Sequence, residues 1–469
     1  MKSLRYNMLS MAVFAGIIFP GGVFAADVFE ISGWIPYWRS EQGVENILPN
    51  LGTVTEVNPF MYGVREDGTL RAESSLEKPE WVRLKEEVQK QQVYFVPTIL
   101  WSDADAIHAT LSDSGNRAKH IAGIMAEVSQ YGLDGIDIDY ERKYASTRPY
   151  FSLFLKELNE ALGTKMLQCT IEARTPLEDR YSSPESIPPD IEYANEYSDI
   201  NRYCDRVRIM AYDQGRIDLT LNKKSAGPYI PVADTAWAEK VIRLALKDIS
   251  ADKMVLGIPT YGYEYNMVFN AETNGISYER VTSFNPAYAQ ELSEKLNKTP
   301  IRNSAGELFI LYTTAELPEN KGALSPARVR ILSWGDAKTA QMKIDLAEKL
   351  GIRGVAVFKI DGEQDPGLWD VLKKAKENVS VSAESSYEAL LSGADLMYGM
   401  RTERVRLLQM FLNKQGYAVA SVGGGSAGNE TVFFGPATRA ALIRFQKAQG
   451  IQPAVGYFGP ITRSAMKAL

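Results

Sequence analysis

From residue 29 onward, short apolar runs rich in β-branched and aromatic residues alternate with stretches whose apolar positions recur at helical spacing. The runs predict strands at Phe29–Trp38, Val54–Val64, Val93–Leu100, Gly132–Glu141, Lys165–Arg174, Asp205–Asp213, Lys253–Tyr263 and Arg353–Ile360. Between them, Pro79–Gln91, Ala118–Tyr131 and Tyr150–Leu162 predict amphipathic helices, the last with Phe151, Phe154, Leu155 and Leu158 on one face. Eight strands with intervening helices predict an α/β fold, a closed parallel (β/α)8 barrel. The alternative is an open doubly wound sheet, but no Gly-rich phosphate loop follows the first strand.

One connection breaks the rhythm. Strands seven and eight are separated by about ninety residues, far more than an ordinary loop. Within it, Pro286–Lys298 predicts a helix, and Leu308–Thr313 and Val329–Trp334 predict strands. A small α+β insertion at residues 264–330 is therefore expected, followed by the last barrel helix at Asp336–Leu350. After Lys376 the pattern changes. Residues 377–392 are polar and Ser-rich and read as a linker between a barrel domain, 26–376, and a helical domain, 393–469. In the latter, Thr402–Gln415 places Val405, Leu408 and Leu412 on one side of a helix. Phe434-Gly-Pro-Ala-Thr-Arg439 is then echoed by Phe458-Gly-Pro-Ile-Thr-Arg463, and in each copy the Pro suits a first helical turn. These features predict a small all-α module.

The N-terminus has the pattern of a targeting segment. Lys2 and Arg5 precede an apolar run, Met8 to Phe19, that is too short to span a bilayer comfortably, and Val23-Phe24-Ala25 offers a cleavage site. A signal peptide of residues 1–25 is expected, with an uncleaved anchor as the alternative. The mature chain is then exported to the cell wall, the periplasm or the medium, without membrane insertion. Net charge is −6 and no strongly basic block occurs, so no nucleic-acid partner is expected. Cys169 and Cys204 are the two cysteines; neighbouring strands could join them, but free buried thiols are the favoured reading. His108 and His120 lack zinc-site spacing, so no metal and no cofactor is expected from them. Nothing in the sequence requires more than a monomer.

The chemistry concentrates in Leu133-Asp-Gly-Ile-Asp-Ile-Asp-Tyr-Glu141. Strand side chains alternate faces, so Asp137, Asp139 and Glu141 share one face while Ile136, Ile138 and Tyr140 take the other. Burying three acids in a row is costly unless they share protons, hydrogen bonds or a cation. Crowding raises at least one pKa, which is what a general acid needs near neutral pH. An oxygen-rich metal site is the competing reading; the apolar alternation argues against a solvated acidic turn. Around the row, at the C-terminal strand ends where barrels carry their sites, lie Trp34, Trp38, Trp101, Tyr212, Asp213 and Tyr261. Acids ringed by aromatics are the composition of a carbohydrate cleft.

Asp134-Gly-Ile-Asp137-Ile-Asp139-Tyr-Glu141 resembles the DGxDxDxE signature of family 18 glycoside hydrolases. Met210-Ala-Tyr212-Asp213 is similar to that family's strand-six motif, and Leu256 to Gly262 to its strand-seven motif. The resemblance covers roughly residues 29–376 and implies a chitinase-like or peptidoglycan N-acetylglucosaminidase-like enzyme. It implies Glu141 as the acid, Asp139 as the clamp on the substrate's acetamido group, Asp137 as its charge partner and Tyr212 as a donor to the acetamido oxygen. Asp213 would contact the sugar nearby, and Asp134, of opposite parity, would support the strand start. Phe358 stands where the family usually has Trp, which puts the strength of sugar binding in question. The C-terminal region resembles the peptidoglycan-binding type 1 domain, through Leu407-Leu-Gln409, Asn413 to Tyr417, Phe445-Gln446 and the two repeats; a generic helical dimerisation domain is the alternative. The reading favoured is hydrolysis of β-1,4 bonds after N-acetylglucosamine in peptidoglycan, ahead of chitin hydrolysis and ahead of lectin-like glycan binding.

Overall fold

The computed structural model describes residues 29–272, 275–317, 327–421, 423–426 and 430–468. The expected signal peptide lies outside the described residues. The chain divides into one compact unit that ends at Val381 and another that begins at Ser382.

In the first unit, eight parallel strands close on themselves. They are β1 (Glu30–Pro36), β2 (Glu56–Val64), β3 (in two pieces, Tyr94–Phe95 and Thr98–Trp101), β4 (Gly135–Tyr140), β5 (Met166–Glu172), β6 (Arg206–Met210), β7 (Met254–Pro259) and β8 (Gly354–Phe358). Each pairs with its neighbours in order, and β1 pairs with both β2 and β8, which closes the barrel. Pro97 interrupts β3 because it has no N–H to give the ladder, yet its carbonyl still accepts from Asp137 N–H at 2.9 Å.

Outward-facing Ile136, Ile138 and Tyr140 pack in one core with Phe151, Phe154, Leu155 and Leu158 of the helix Arg148–Leu162. Each such side chain contributes about 1.5–3 kcal/mol on burial, which holds the acid-bearing strand from behind. Its entry is fixed locally. The helix Ser114–Tyr131 starts at Asp113, whose side chain accepts from Asn116 N–H, and stops at left-handed Gly132, which turns the chain into β4. Asp134 accepts from Phe95 N–H at 2.8 Å and ties the start of β4 to β3.

The insertion runs from Gly262 to Trp334, slightly wider than 264–330. It is a five-stranded antiparallel sheet in the order Gly275–Phe284, Gly262–Asn270, Val329–Trp334, Leu308–Thr313, Ile301–Arg302. The helix Pro286–Lys295 buries Ala289 and Leu292 against Ile310, Leu332 and Trp334 of that sheet.

Two expectations need correction. Cys169 and Cys204 are joined in a disulfide, with Cα atoms 6.1 Å apart, and are not free thiols. Parallel pairing of β5 with β6 brings them together, since Asp205, beside Cys204, donates its N–H to Leu167 O at 2.8 Å. The segment 377–392, expected as a linker with only a weakly helical centre, is helical throughout as part of one helix spanning Leu368–Ser392, and the division between the two units falls within it. Its Ser-rich composition reads as a linker, but no Gly or Pro interrupts it. Near its start Leu372 and Ala375 are buried in the barrel unit's core, and near its end Leu390 and Leu391 in the second unit's core.

The second unit packs helices Glu403–Lys414, Pro436–Ala448 and Pro460–Lys467 around Leu408, Phe434, Phe445 and Phe458. The sequence repeat is a structural one. Gln409 Nε2 donates to Thr438 Oγ1 (2.8 Å) and Phe433 O (3.0 Å), and Gln446 Nε2 repeats this with Thr462 Oγ1 (2.9 Å) and Tyr457 O (2.8 Å). Among the described residues, no helix is long and apolar enough to cross a membrane.

Candidate active site

A cleft of about 1270 Å³ opens at the C-terminal ends of the strands. Asp139, Glu141, Tyr212, Asp213, Trp34, Trp38, Tyr261 and Phe358 all border it. The register explains the acid row. Thr98 pairs with Asp137 and Leu100 with Asp139, so these two acids turn into the barrel while Ile136, Ile138 and Tyr140 turn out.

Asp137 is completely buried and thoroughly bonded. Thr98 Oγ1 donates to its Oδ2 at 2.8 Å, Trp34 Nε1 donates to the same oxygen at 3.2 Å, and Thr170 Oγ1 donates to Oδ1 at 2.9 Å. The guanidinium of Arg208 lies 3.5 Å from Oδ2. Asp139, one step up the strand, differs. It is buried, and its Oδ1 has no hydrogen-bond partner. Burial first, then the charges of Glu141, Asp137 and Glu172, push its carboxyl well above the ordinary range. This acid has one oxygen free to receive a donor.

Glu141 ends the row, half-buried at the cleft, with its N–H held by Trp101 O at 2.8 Å. Burial and then the neighbouring Glu172 raise its pKa, against the opposing pull of Arg142 and Lys143. Glu172, at the end of β5, is driven the other way. Burial disfavours its charge, but buried Lys143, the Arg142 N–H at 2.8 Å and the Asn195 amide at 2.9 Å together hold its carboxyl below the ordinary range.

Across the cleft, burial and the nearby acids push the Tyr212 hydroxyl well above its ordinary value, so it stays a neutral donor. Its ring lies nearly parallel to Phe358, with centroids 5.9 Å apart and planes 18° from parallel. Phe358 also meets Tyr261, Trp34 and Phe60 edge-on at about 6 Å. Asp213 adopts a left-handed backbone, φ 58°, and its Oδ1 accepts from the hydroxyls of Tyr261 (2.6 Å) and Tyr263 (2.7 Å). A non-Gly residue in that conformation costs free energy that surrounding bonds must offset.

The aromatic expectations divide. Trp38 is half exposed over the cleft and packs edge-on against Tyr37 and Phe60. Trp34 is buried and acts as a donor to Asp137 as much as a wall. Trp101 pairs in register with outward-facing Tyr140, so its indole packs on Tyr140 and His120 at about 5.5 Å and is 3% exposed. Trp101 thus lines the cleft edge while most of its indole packs in the core.

Sequence reasoning did not single out Thr98, Thr170, Glu172, Lys143 or Arg208. A signal was present: Gln168, Thr170 and Glu172 alternate with Cys169 and Ile171 in a buried strand, and Arg206 and Arg208 flank Val207. Among the described residues no group of three or more His, Cys, Asp or Glu side chains is arranged to hold a metal ion.

A closed parallel barrel whose mouth presents a buried acid row beneath an aromatic cleft defines a glycoside hydrolase. The chain belongs to the glycosyl hydrolases family 18, whose model matches residues 33–363. A peptidoglycan binding domain model matches residues 401–466. The cortical fragment-lytic enzyme of Bacillus subtilis is 23% identical over 325 residues, 68% of this chain and 67% of the relative. Two solved structures share the fold. The spore cortex-lytic enzyme SleL of Bacillus megaterium superposes with a TM-score of 0.57 at 19% identity, covering 74% of this chain and 73% of that one. A chitinase of Chromobacterium violaceum superposes with a TM-score of 0.58 at 18% identity, covering 75% and 99%.

Proposed function

We propose that this family 18 hydrolase is an exported, wall-acting enzyme that cleaves β-1,4 bonds after N-acetylglucosamine in peptidoglycan, with retention of configuration. The observation that carries this reading is the joining, in one chain, of the family 18 barrel and a peptidoglycan-binding module. The relative's name, a cortical fragment-lytic enzyme, agrees with a wall glycan as substrate.

In the proposed reaction Glu141 gives its proton to the glycosidic oxygen. The substrate's own acetamido carbonyl oxygen attacks the anomeric carbon as the bond to the leaving sugar breaks, so the enzyme supplies no nucleophile. This differs from the usual two-carboxylate scheme. Asp139 receives the acetamido N–H on its unpartnered oxygen, a role supported by the absence of any protein donor there. Asp137, anchored by Thr98, Thr170 and Trp34, is the charge partner against which Asp139 keeps its proton. Tyr212 donates to the acetamido oxygen and Asp213 contacts the sugar nearby. Phe358 and Trp38 supply stacking surface, with Trp34 and Tyr261 as walls; Trp101, with its indole turned into the core, supports the strand. Water, deprotonated by Glu141 on its return, then opens the cyclic intermediate.

These residues contact only an N-acetylglucosamine unit, which chitin shares, so chitin is the second polymer to test. Purified protein should release reducing ends from peptidoglycan strands faster than from chitooligosaccharides, and Glu141→Gln should abolish release from both. Equal activity of the Gln variant, or none from the wild type on either polymer, would end the hydrolytic reading. Mass spectrometry of products from defined muropeptide strands identifies the bond cleaved and the end attacked.

A further inference from the structure

Glu172 has no part in the reaction as written, yet it sits beside its acid. The parallel register of β4 with β5 runs from Gly135 opposite Met166 to Ile138 opposite Cys169. The ladder ends there, but the Arg142 N–H bonded to Glu172 holds the ends of the two strands, and with them Glu141 and Glu172, side by side. Both residues border the same cleft. The Glu172 carboxylate does not float there. One oxygen accepts the N–H of Arg142, the residue directly after Glu141, at 2.8 Å, and the other accepts the Asn195 amide at 2.9 Å. Lys143, buried against the Phe151 ring with Nζ 4.5 Å from its centroid, adds a fixed positive charge on the same side.

We propose that Glu172 is the positioning residue for the acid step: a fixed carboxylate whose charge holds the proton on Glu141. The inference rests on the reading of Glu141 as the acid. Two neighbouring carboxylates with opposite environments divide the labour, one ionised by its donors and the other kept protonated by its neighbour's charge. The groups that face Glu141 are accounted for. Glu172 and Asp213 disfavour its ionisation, Arg142 and Lys143 favour it, burial outweighs each of them, and Asp139 and Tyr212 are in turn pushed up by the Glu141 charge. Around Glu172 stand Lys143, Arg142 N–H and Asn195, with its charge also felt by Asp139 and by Tyr197. Removing the Glu172 charge therefore removes the strongest neighbouring repulsion opposing Glu141 ionisation.

The test is the pH dependence of kcat/KM on chitotetraose for the full chain, whose alkaline limb reports the free enzyme's acid. Glu172→Gln should move that limb down by about one pH unit, with the melting temperature kept near wild type. Glu172→Asp, which keeps the charge, should hold the limb near its wild-type position. An unmoved limb in folded Glu172→Gln, or a limb moved as far by Asp as by Gln, overturns the proposal. Should Glu172→Gln not fold, Asn195→Ala takes its place: it loosens the carboxylate and should give a smaller shift in the same direction, and no shift overturns the proposal. A wild type that hydrolyses nothing defeats the functional reading instead, and an active wild type that depends on Glu141 with a Glu172-independent limb defeats only this one.

Discussion

The barrel buries two clusters of charge, one rich in arginine partners and the other poor in cations. The lower one joins Glu30, Glu56 and Asp137 with Arg206, Arg208 and Arg353. Arg206 Nε and Arg353 Nε lie 2.9 and 2.8 Å from Glu30 Oε2, and fully buried Arg208 pairs with Glu56 and reaches Asp137. Burial opposes the charge of Glu30, but Arg208, Arg206 and Arg353 still hold its carboxyl below the ordinary range, whereas for Glu56 burial outweighs Arg208 and raises it. The upper cluster is Asp139, Glu141, Glu172 and Asp213, with Lys143 as its buried cation. There burial and mutual repulsion win for Asp139 and Glu141, and protons take the place of cations. Asp137 belongs to both, bonded like the lower cluster and adjacent to the upper. The lesson is that Asp139, with a buried oxygen that has no protein partner, is left open for a substrate, whereas Asp137 and Glu172 are fixed by the protein's own donors.

This contrast is open to direct attack. The largest expected effect falls on the upper cluster's activity: Glu141→Gln should lower kcat by about 10²–10⁴-fold, measured by reducing-end release, while leaving the melting temperature near wild type. Arg208→Met should do the reverse in kind, costing about 3–5 kcal/mol of stability because Glu56 and Glu30 lose a buried partner. A shifted urea midpoint at unchanged m-value measures it, and a silent Arg208→Met would dissolve the distinction.

Asp139→Asn sharpens the comparison through pH. Asp139's folded pKa is raised, so the native state keeps a proton that the unfolded chain releases. Stability is therefore lost as pH rises above the unfolded value, about 4, until Asp139 itself ionises. Asn has no such slope. The melting temperature of Asp139→Asn should thus exceed wild type by a margin that widens upward from about pH 4, alongside a loss of activity; a constant margin across that range contradicts the raised pKa. The smallest effect concerns the floor. Phe358→Trp adds stacking area worth about 0.5–1.5 kcal/mol at most, so KM should fall a few-fold with kcat unchanged, and steady-state kinetics on chitooligosaccharides decides it.

How far these clusters were legible in the sequence varied by residue. Helix Pro79–Gln91 and the strands Leu308–Thr313 and Val329–Trp334 fall where periodicity put them, because their apolar spacing answers to one buried face. The inward parity of Asp137 and Asp139 was equally readable, since a strand has only two faces. The segment joining the two units was placed by its composition, but its helical conformation throughout is set by the apolar residues at both ends of the helix. The disulfide stood only as the alternative to free thiols, because a spacing of 35 residues does not by itself bring two side chains together across neighbouring strands. Trp101 borders the cleft, as its place at a strand end suggested, but its register with Tyr140, which buries most of its indole, is not visible in one dimension.

The sequence by itself determined the alternating strands and helices, the insertion, the acid row and its shared face, for these follow from local periodicity and side-chain chemistry. Only the tertiary structure decided which acids are compensated. Glu172 comes to Glu141, and Arg208 to Asp137 and Glu56, through barrel closure. Residues 31 to 152 positions apart become neighbours there, and a charge's fate depends on its neighbours in space.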